Sequence, residues 1–168
     1  MSRPDLKDGR LSRLYDLWVE VRGERPLPER TAFTPEILKP WLGNLLLIDV
    51  GTDGRYRYRL YGSNFVYRFG VEMTKRTVDD LPPEQSAAIR QDYDAAVRTL
   101  TPLSRLYTND FEILDVNRKV GFQRLETWER LVLPLADKGG ERAAMLMVGA
   151  YQLPSPETGL GETPIDPA

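Results

Sequence analysis

Two short runs, LLLIDV at residues 45–50 and AAMLMVGAY at residues 143–151, are apolar at consecutive positions and so have no water-facing side. A strand of that kind is covered on both faces, which places each inside a sheet rather than at its edge. Beside them the pattern alternates. In YRYRLY at residues 56–61, Tyr56, Tyr58 and Leu60 fall on one side and Arg57 and Arg59 on the other, the period of a strand with one charged face. Thr52, Asp53 and Gly54 turn LLLIDV into this strand, predicting a hairpin with the alternating strand outermost. Residues 122–135 predict a long strand, with Leu125, Leu131 and Leu133 on one face and Phe122, Arg124, Glu126, Trp128 and Arg130 on the other. The DKGG turn at residues 137–140 leads it into the last apolar run, and residues 103–114 read as a strand pair or one bent strand.

Helical spacing governs the rest. Phe65 and Phe69 recur four apart between a cap at Ser63 or Asn64 and a stop at Gly70. Residues 84–100 carry Ile89, Tyr93, Ala96, Val97 and Leu100 on one side, a face expected to pack on the sheet. Near the start, Pro4, Asp5 and Asp8 resemble a helix beginning, and Leu11, Leu14, Trp18 and Val21 follow until Gly23. That stripe either covers the protein's own sheet or forms a dimer seam. Pro26 and Pro28 make residues 25–30 an extended connector, and a short helical turn runs from Thr34 or Pro35 to Leu42, shortened by Pro40. The expected division is a leading helix and connector over residues 1–30, a domain over 31–153, and a disordered tail over 154–168, where Pro, Gly and acidic residues outnumber apolar ones.

Composition narrows the chemistry. The chain has 168 residues, enough for one domain with a real core, and a net charge of -2 that gives no general attraction to nucleic acid or to an anionic membrane. With no cysteine, disulfides, thiolate metal sites and thiol nucleophiles are excluded; with no histidine, the commonest metal ligand and general base are missing as well. Catalysis would fall to carboxylates, Tyr, Lys or Arg. No apolar run approaches the ~18 residues that a membrane span needs, and the charged N-terminus does not read as a signal peptide, so a cytoplasmic protein is expected.

The order of elements is a hairpin, several short helices with one longer one, then three antiparallel strands, the first and last strands being central. It is similar to that of a PAS domain, an α+β fold whose five-stranded antiparallel sheet has order 2-1-5-4-3 with helices on one face. More closely, RYRLYGS at residues 57–63, FGVEMTKR at 69–76 and ERLVLPL at 129–135 resemble a family of small PAS-like proteins of alphaproteobacteria. Its members read R-Y-R-L-x-G-T, F-G-x-D-x-T-G-R and E-R-x-x-x-P-L. The stretch LYDLWVEVRGERPLPER at residues 14–30 looks like that family's leading helix and connector. Lys75 stands where the family has Gly, in a turn that a positive φ would strain, and Glu72 where it has Asp. The resemblance implies sensing and association rather than catalysis: a stand-alone module signalling through a protein partner, expected as a homodimer, with a small metabolite held between sheet and helices. Haem on a histidine and a cysteinyl flavin adduct find no residues here. Non-covalent flavin or a metabolite stays open.

The inward positions of this arrangement make Tyr58, Leu60, Phe65, Phe69, Met73, Tyr93, Leu131 and Met145 or Met147 the candidate cavity lining, with plain core as the alternative for each. Tyr58 and Tyr93 stand out because a buried phenol needs a partner. Glu129 also points inward by alternation. It either meets a ligand's donors or is turned outward by a bulge toward Arg57 or Arg59. The candidate interface is Leu11, Leu14 and Trp18 with Arg57, Arg59 and Trp128, the last read as an anchor on an outer basic sheet face. Two other readings are a small cone-shaped α+β enzyme using Asp49 or Glu129 with Tyr58, and a ligand-free structural adaptor.

Overall fold

A computed structural model describes residues 1–114 and 121–154, with backbone alone for 109–114 and 121–125. The expected tail lies outside the described residues, Pro154 excepted. Strands β1 (Leu45–Val50), β2 (Tyr56–Tyr61), β3 (Leu103–Leu114), β4 (Gly121–Ala136) and β5 (Ala143–Gln152) form one antiparallel sheet of order β2-β1-β5-β4-β3. The two unbroken apolar runs are therefore neighbours, with Leu45 opposite Gly149 and Asp49 opposite Met145. Residues 103–114 are a single strand.

Both faces of the sheet are covered. Helix α1 (Gly9–Arg22) lies across one, because Leu11, Leu14, Tyr15 and Trp18 recur at helical spacing and all are buried. Asp8 rather than Asp5 caps it, its carboxylate accepting from the Arg10 N–H at 2.8 Å, and Gly23 ends it. Under α1 lie Leu45, Leu131, Leu133, Leu135, Met145 and Met147, and the Trp18 Nε1–H donates to the Pro134 carbonyl at 2.9 Å. At about 25 cal/mol per Å² of apolar surface, burying a side chain of this size stabilises by roughly 2–3 kcal/mol, so the stripe fixes α1 to the domain. Leu11, Leu14 and Trp18 are each 0% exposed, so the dimer seam expected of them is occupied by their own sheet.

The opposite face carries α3 (Ser63–Phe69) and α4 (Pro83–Thr99), while α2 (Pro35–Leu38) leads into β1. Here Leu46, Ile48, Tyr56, Tyr58, Val132, Leu146 and Val148 meet Phe65, Met73, Tyr93 and Ala96. Gly62 makes the turn from β2 into α3 possible: a Cβ on it would stand 2.4 Å from the Gly43 carbonyl oxygen, inside any allowed contact. Lys75 has φ of 72°, the strained conformation its departure from Gly led us to expect.

Two expectations about faces reverse. In β4 the even positions Glu126, Trp128, Arg130 and Val132 face the helices, whereas Glu129, Leu131, Leu133 and Leu135 lie on the α1 side. Leu131, Met145 and Met147 are thus core beneath α1, not cavity lining. The alternation in β4 is real, but neither of its faces is solvent: the more apolar one makes the dry contact with α1. In β2 a bulge is responsible. Register runs from Ile48 opposite Tyr58 to Leu47 opposite Leu60, skipping Arg59, so Leu60 turns to the far face with Leu47 and Tyr61 takes its place beside Leu46.

Candidate functional site

Between the helix-side face of the sheet, α3, α4 and the loop over residues 71–82 lies a cavity of about 1070 Å³. Its apolar wall comes from Leu46 of β1, Phe65 and Phe69 of α3, Met73 and Leu81 of the loop, and Ile89 of α4. Phe65 and Phe69 stack at 6.3 Å, one helical turn apart, and Trp128 packs behind both, 6.3 and 5.8 Å from their ring centres. Trp128 is 4% exposed, so it anchors this internal aromatic group rather than an outer docking face. Its Nε1–H donates to Glu126 at 3.2 Å, and Glu126 also pairs with Arg68 of α3.

Four phenols line the same space: Tyr58 and Tyr61 from β2, Tyr93 from α4 and Tyr107 from β3. Tyr58 and Tyr93 are buried and Tyr61 and Tyr107 half-buried, and none of the four hydroxyls makes a hydrogen bond to another described residue. Burial pushes all four up in pKa, Tyr61 and Tyr107 to about 12, so each is protonated and able to donate at neutral pH. Around them Tyr58 and Tyr61 meet edge to face at 5.5 Å, holding the rings upright against the sheet.

At the inner end stands an ion cluster that the sequence pattern did not isolate. Asp92 of α4, 3% exposed, accepts from Arg105 of β3 (Nη2 at 2.5 Å) and from Arg130 of β4 (Nη2 at 2.6 Å). Burial pushes the Asp92 carboxyl up, but hydrogen bonds from the two guanidiniums outweigh it and hold the group below the ordinary carboxylate range. Arg130 is 8% exposed, lies over the Tyr107 ring at 5.0 Å, and keeps a buried Nε–H without a partner. A signal for Asp92 was present: it lies three residues after Ile89 and four before Ala96, in the middle of the α4 stripe, and an acid there needs a buried cation.

Of the candidate lining, Tyr58, Phe65, Phe69, Met73 and Tyr93 meet at the cavity. Glu129 does not. It is 1% exposed on the other face, where its carboxylate accepts from the Lys7 N–H at 2.8 Å and the Asp8 N–H at 2.7 Å. Neither a ligand nor an outer arginine is its partner; the backbone entering α1 is. Arg57 and Arg59 are exposed on β2, Arg57 donating to the Lys75 carbonyl at 2.9 Å and Arg59 to Asp49 at 3.0 Å. Asp49 is thereby paired, and neither it nor Glu129 shares a face with Tyr58, so the constellation of the enzyme reading is not assembled. Among the described residues no group of acidic side chains is placed to hold a metal, and no helix is long and apolar enough to cross a membrane.

No curated protein matches this sequence. Among solved structures, the light state of the blue-light photoreceptor Aureochrome1 LOV is similar at 11% identity and a TM-score of 0.42, over 76% of this chain and 94% of that one. A family model described as PAS domain matches residues 6–151, which takes in α1 as well as the sheet up to Tyr151, and with it the chain belongs to the PAS domain family.

Proposed function

We propose that this chain is a sensory and protein-interaction domain in which the cavity admits a small molecule and the sheet passes its presence to a surface read by partner proteins. The observation that carries the reading is the cavity: about 1070 Å³ at the upper end of the ~300–1000 Å³ usual for ligand sites, bounded by four phenols without protein partners. A ligand-free adaptor would have closed that space with side chains. The route outward is β4, where Trp128 and Arg130 belong to the cavity face and Glu129, between them, holds the start of α1. A change in β4 therefore reaches α1 without crossing a flexible segment.

The test uses protein isolated from the cells in which it occurs. One compound, released on denaturation and identified by mass spectrometry, is the expected outcome. Its return to stripped protein labelled with ¹³C at the methionine methyls shifts Met73 in the cavity and, through β4 and β5, Met145 and Met147 beneath α1. Identical methyl spectra for native and stripped protein, with nothing released, would sink this reading.

A further inference from the structure

The cavity is not chemically uniform, and its charges are not evenly spread. Six charged residues line it, Arg76, Arg105 and Arg130 against Asp80, Glu84 and Asp92, but only Arg130 and Asp92 are buried. Asp80 accepts from its own Thr77 N–H at 2.8 Å, and Glu84 is exposed at the first turn of α4. At the inner end Asp92 alone answers two guanidiniums. Its Oδ1 takes Nη2 of Arg105, whose side chain is half exposed, and its Oδ2 takes Nη2 of Arg130, which makes Arg130 the buried cation of the cavity wall among the described residues.

Arg130 also has donors to spare. Of its five N–H bonds, one reaches Asp92 and the Nε–H is enclosed without a partner, while the two on Nη1 make no hydrogen bond to another described residue. Arg130 lies over the Tyr107 ring at 5.0 Å and lines the same cavity as Tyr58, Tyr93 and Tyr107, so the guanidinium and these three phenols face one space. Opposite this region stands the apolar wall of Phe65, Phe69 and Met73. Donors without acceptors at one end and apolar surface at the other fit an amphipathic guest with a single negative head.

We infer that the cavity takes a small organic monocarboxylate, its carboxylate received by Arg130 and the neighbouring phenols and its apolar body laid against Phe65, Phe69 and Met73. The inference rests on the reading of the cavity as a ligand site. One carboxylate can use the donors that Arg130 has to spare, whereas a dianionic phosphate ester would bring a second charge with no further buried cation among the described lining residues to meet it. The carboxylate's planar pair of oxygens also suits a guanidinium, which donates two parallel hydrogen bonds to it.

Three carboxylates of different shape, naphthalene-2-carboxylate, 4-phenylbutyrate and decanoate, each set against its primary amide, supply the test. Binding is followed at the Met73 methyl in ¹³C-methionine-labelled protein at concentrations up to the millimolar range. At least one acid binds, by about tenfold or more over its amide, the discrimination a charge-assisted pair provides. Arg130→Met, which leaves Asp92 paired with Arg105, abolishes that preference. Amides binding as well as acids, or a preference that survives Arg130→Met, overturns the inference while leaving the cavity reading intact. If neither acids nor amides move Met73, both fall. Should Arg130→Met fail to fold, the acid-to-amide ratio in the wild-type protein decides alone.

Discussion

Replacing Glu129 by Gln isolates how a buried carboxylate is stabilised without a cation. The side chain is 1% exposed, and its two oxygens take the Lys7 N–H at 2.8 and 3.0 Å and the Asp8 N–H at 2.7 Å. Gln keeps one acceptor oxygen and turns an NH₂ toward an N–H, so one charge-assisted bond becomes two opposed donors. A hydrogen bond to a charged group contributes about 1.5–3 kcal/mol, and a buried donor left unpaired costs about 1–3 kcal/mol, giving an expected loss of roughly 2–4 kcal/mol. Urea denaturation should register it as a lower midpoint at unchanged slope. Because the lost bonds sit where the chain enters α1, amide exchange should rise first over residues 9–22, while the Met73 methyl in the cavity keeps its position. A variant within about 0.5 kcal/mol of wild type, with α1 equally protected, would refute the account of Glu129 as the clasp of α1.

Three further substitutions test other contacts. Trp18→Ala should cost about 3–5 kcal/mol in urea, since it empties a fully buried site and orphans the Pro134 carbonyl, and sedimentation should show no change of assembly state at protein concentrations where it remains folded. Gly62→Ala should destabilise by about 1–3 kcal/mol, because its Cβ meets the Gly43 backbone; a neutral result in thermal melting would mean that this turn yields easily. Asp92→Asn should cost about 3 kcal/mol near neutral pH by leaving the buried Arg130 guanidinium without its anion, the half-exposed Arg105 losing less. Since the Asp92 carboxyl is held below its unfolded value of about 3.9, its contribution is complete above that pH and is lost as pH falls through the folded value. Wild type and variant should therefore converge in urea titrations at acid pH, and a gap of constant size would count against it.

The pairing of the first and last strands could be read from residue types because burial on both faces leaves a direct trace: LLLIDV and AAMLMVGAY are apolar at almost every position, Asp49 excepted, and they lie side by side within the sheet. Which face looked toward the cavity left none. Alternation in β4 separates Leu131 and Leu133 from Trp128 and Arg130, but it does not say that a helix waits on each side, and the polar set turned out to face the helices, with Arg130 in the cavity wall. The bulge at Arg59 is subtler still, since no Gly or Pro marks it, and it exchanges Leu60 for Tyr61 by backbone geometry alone. The phenols Tyr58 and Tyr93 were legible as groups in need of a partner; the Asp92 cluster required knowing that β3 and β4 bring Arg105 and Arg130 beneath α4.

The two-sided cover of β4 has a consequence for how such a protein can diversify. Even-numbered positions between Glu126 and Val132 answer to the helices that enclose the chamber, odd-numbered ones from Glu129 onward to the docked helix. Substitutions can therefore retune what is recognised while the helical clamp keeps its fit, or the reverse, as long as parity is preserved. Inserting or deleting one residue within that stretch would swap the two vocabularies at once, so lineages carrying this strand should vary by replacement there and by length in the turns at its ends.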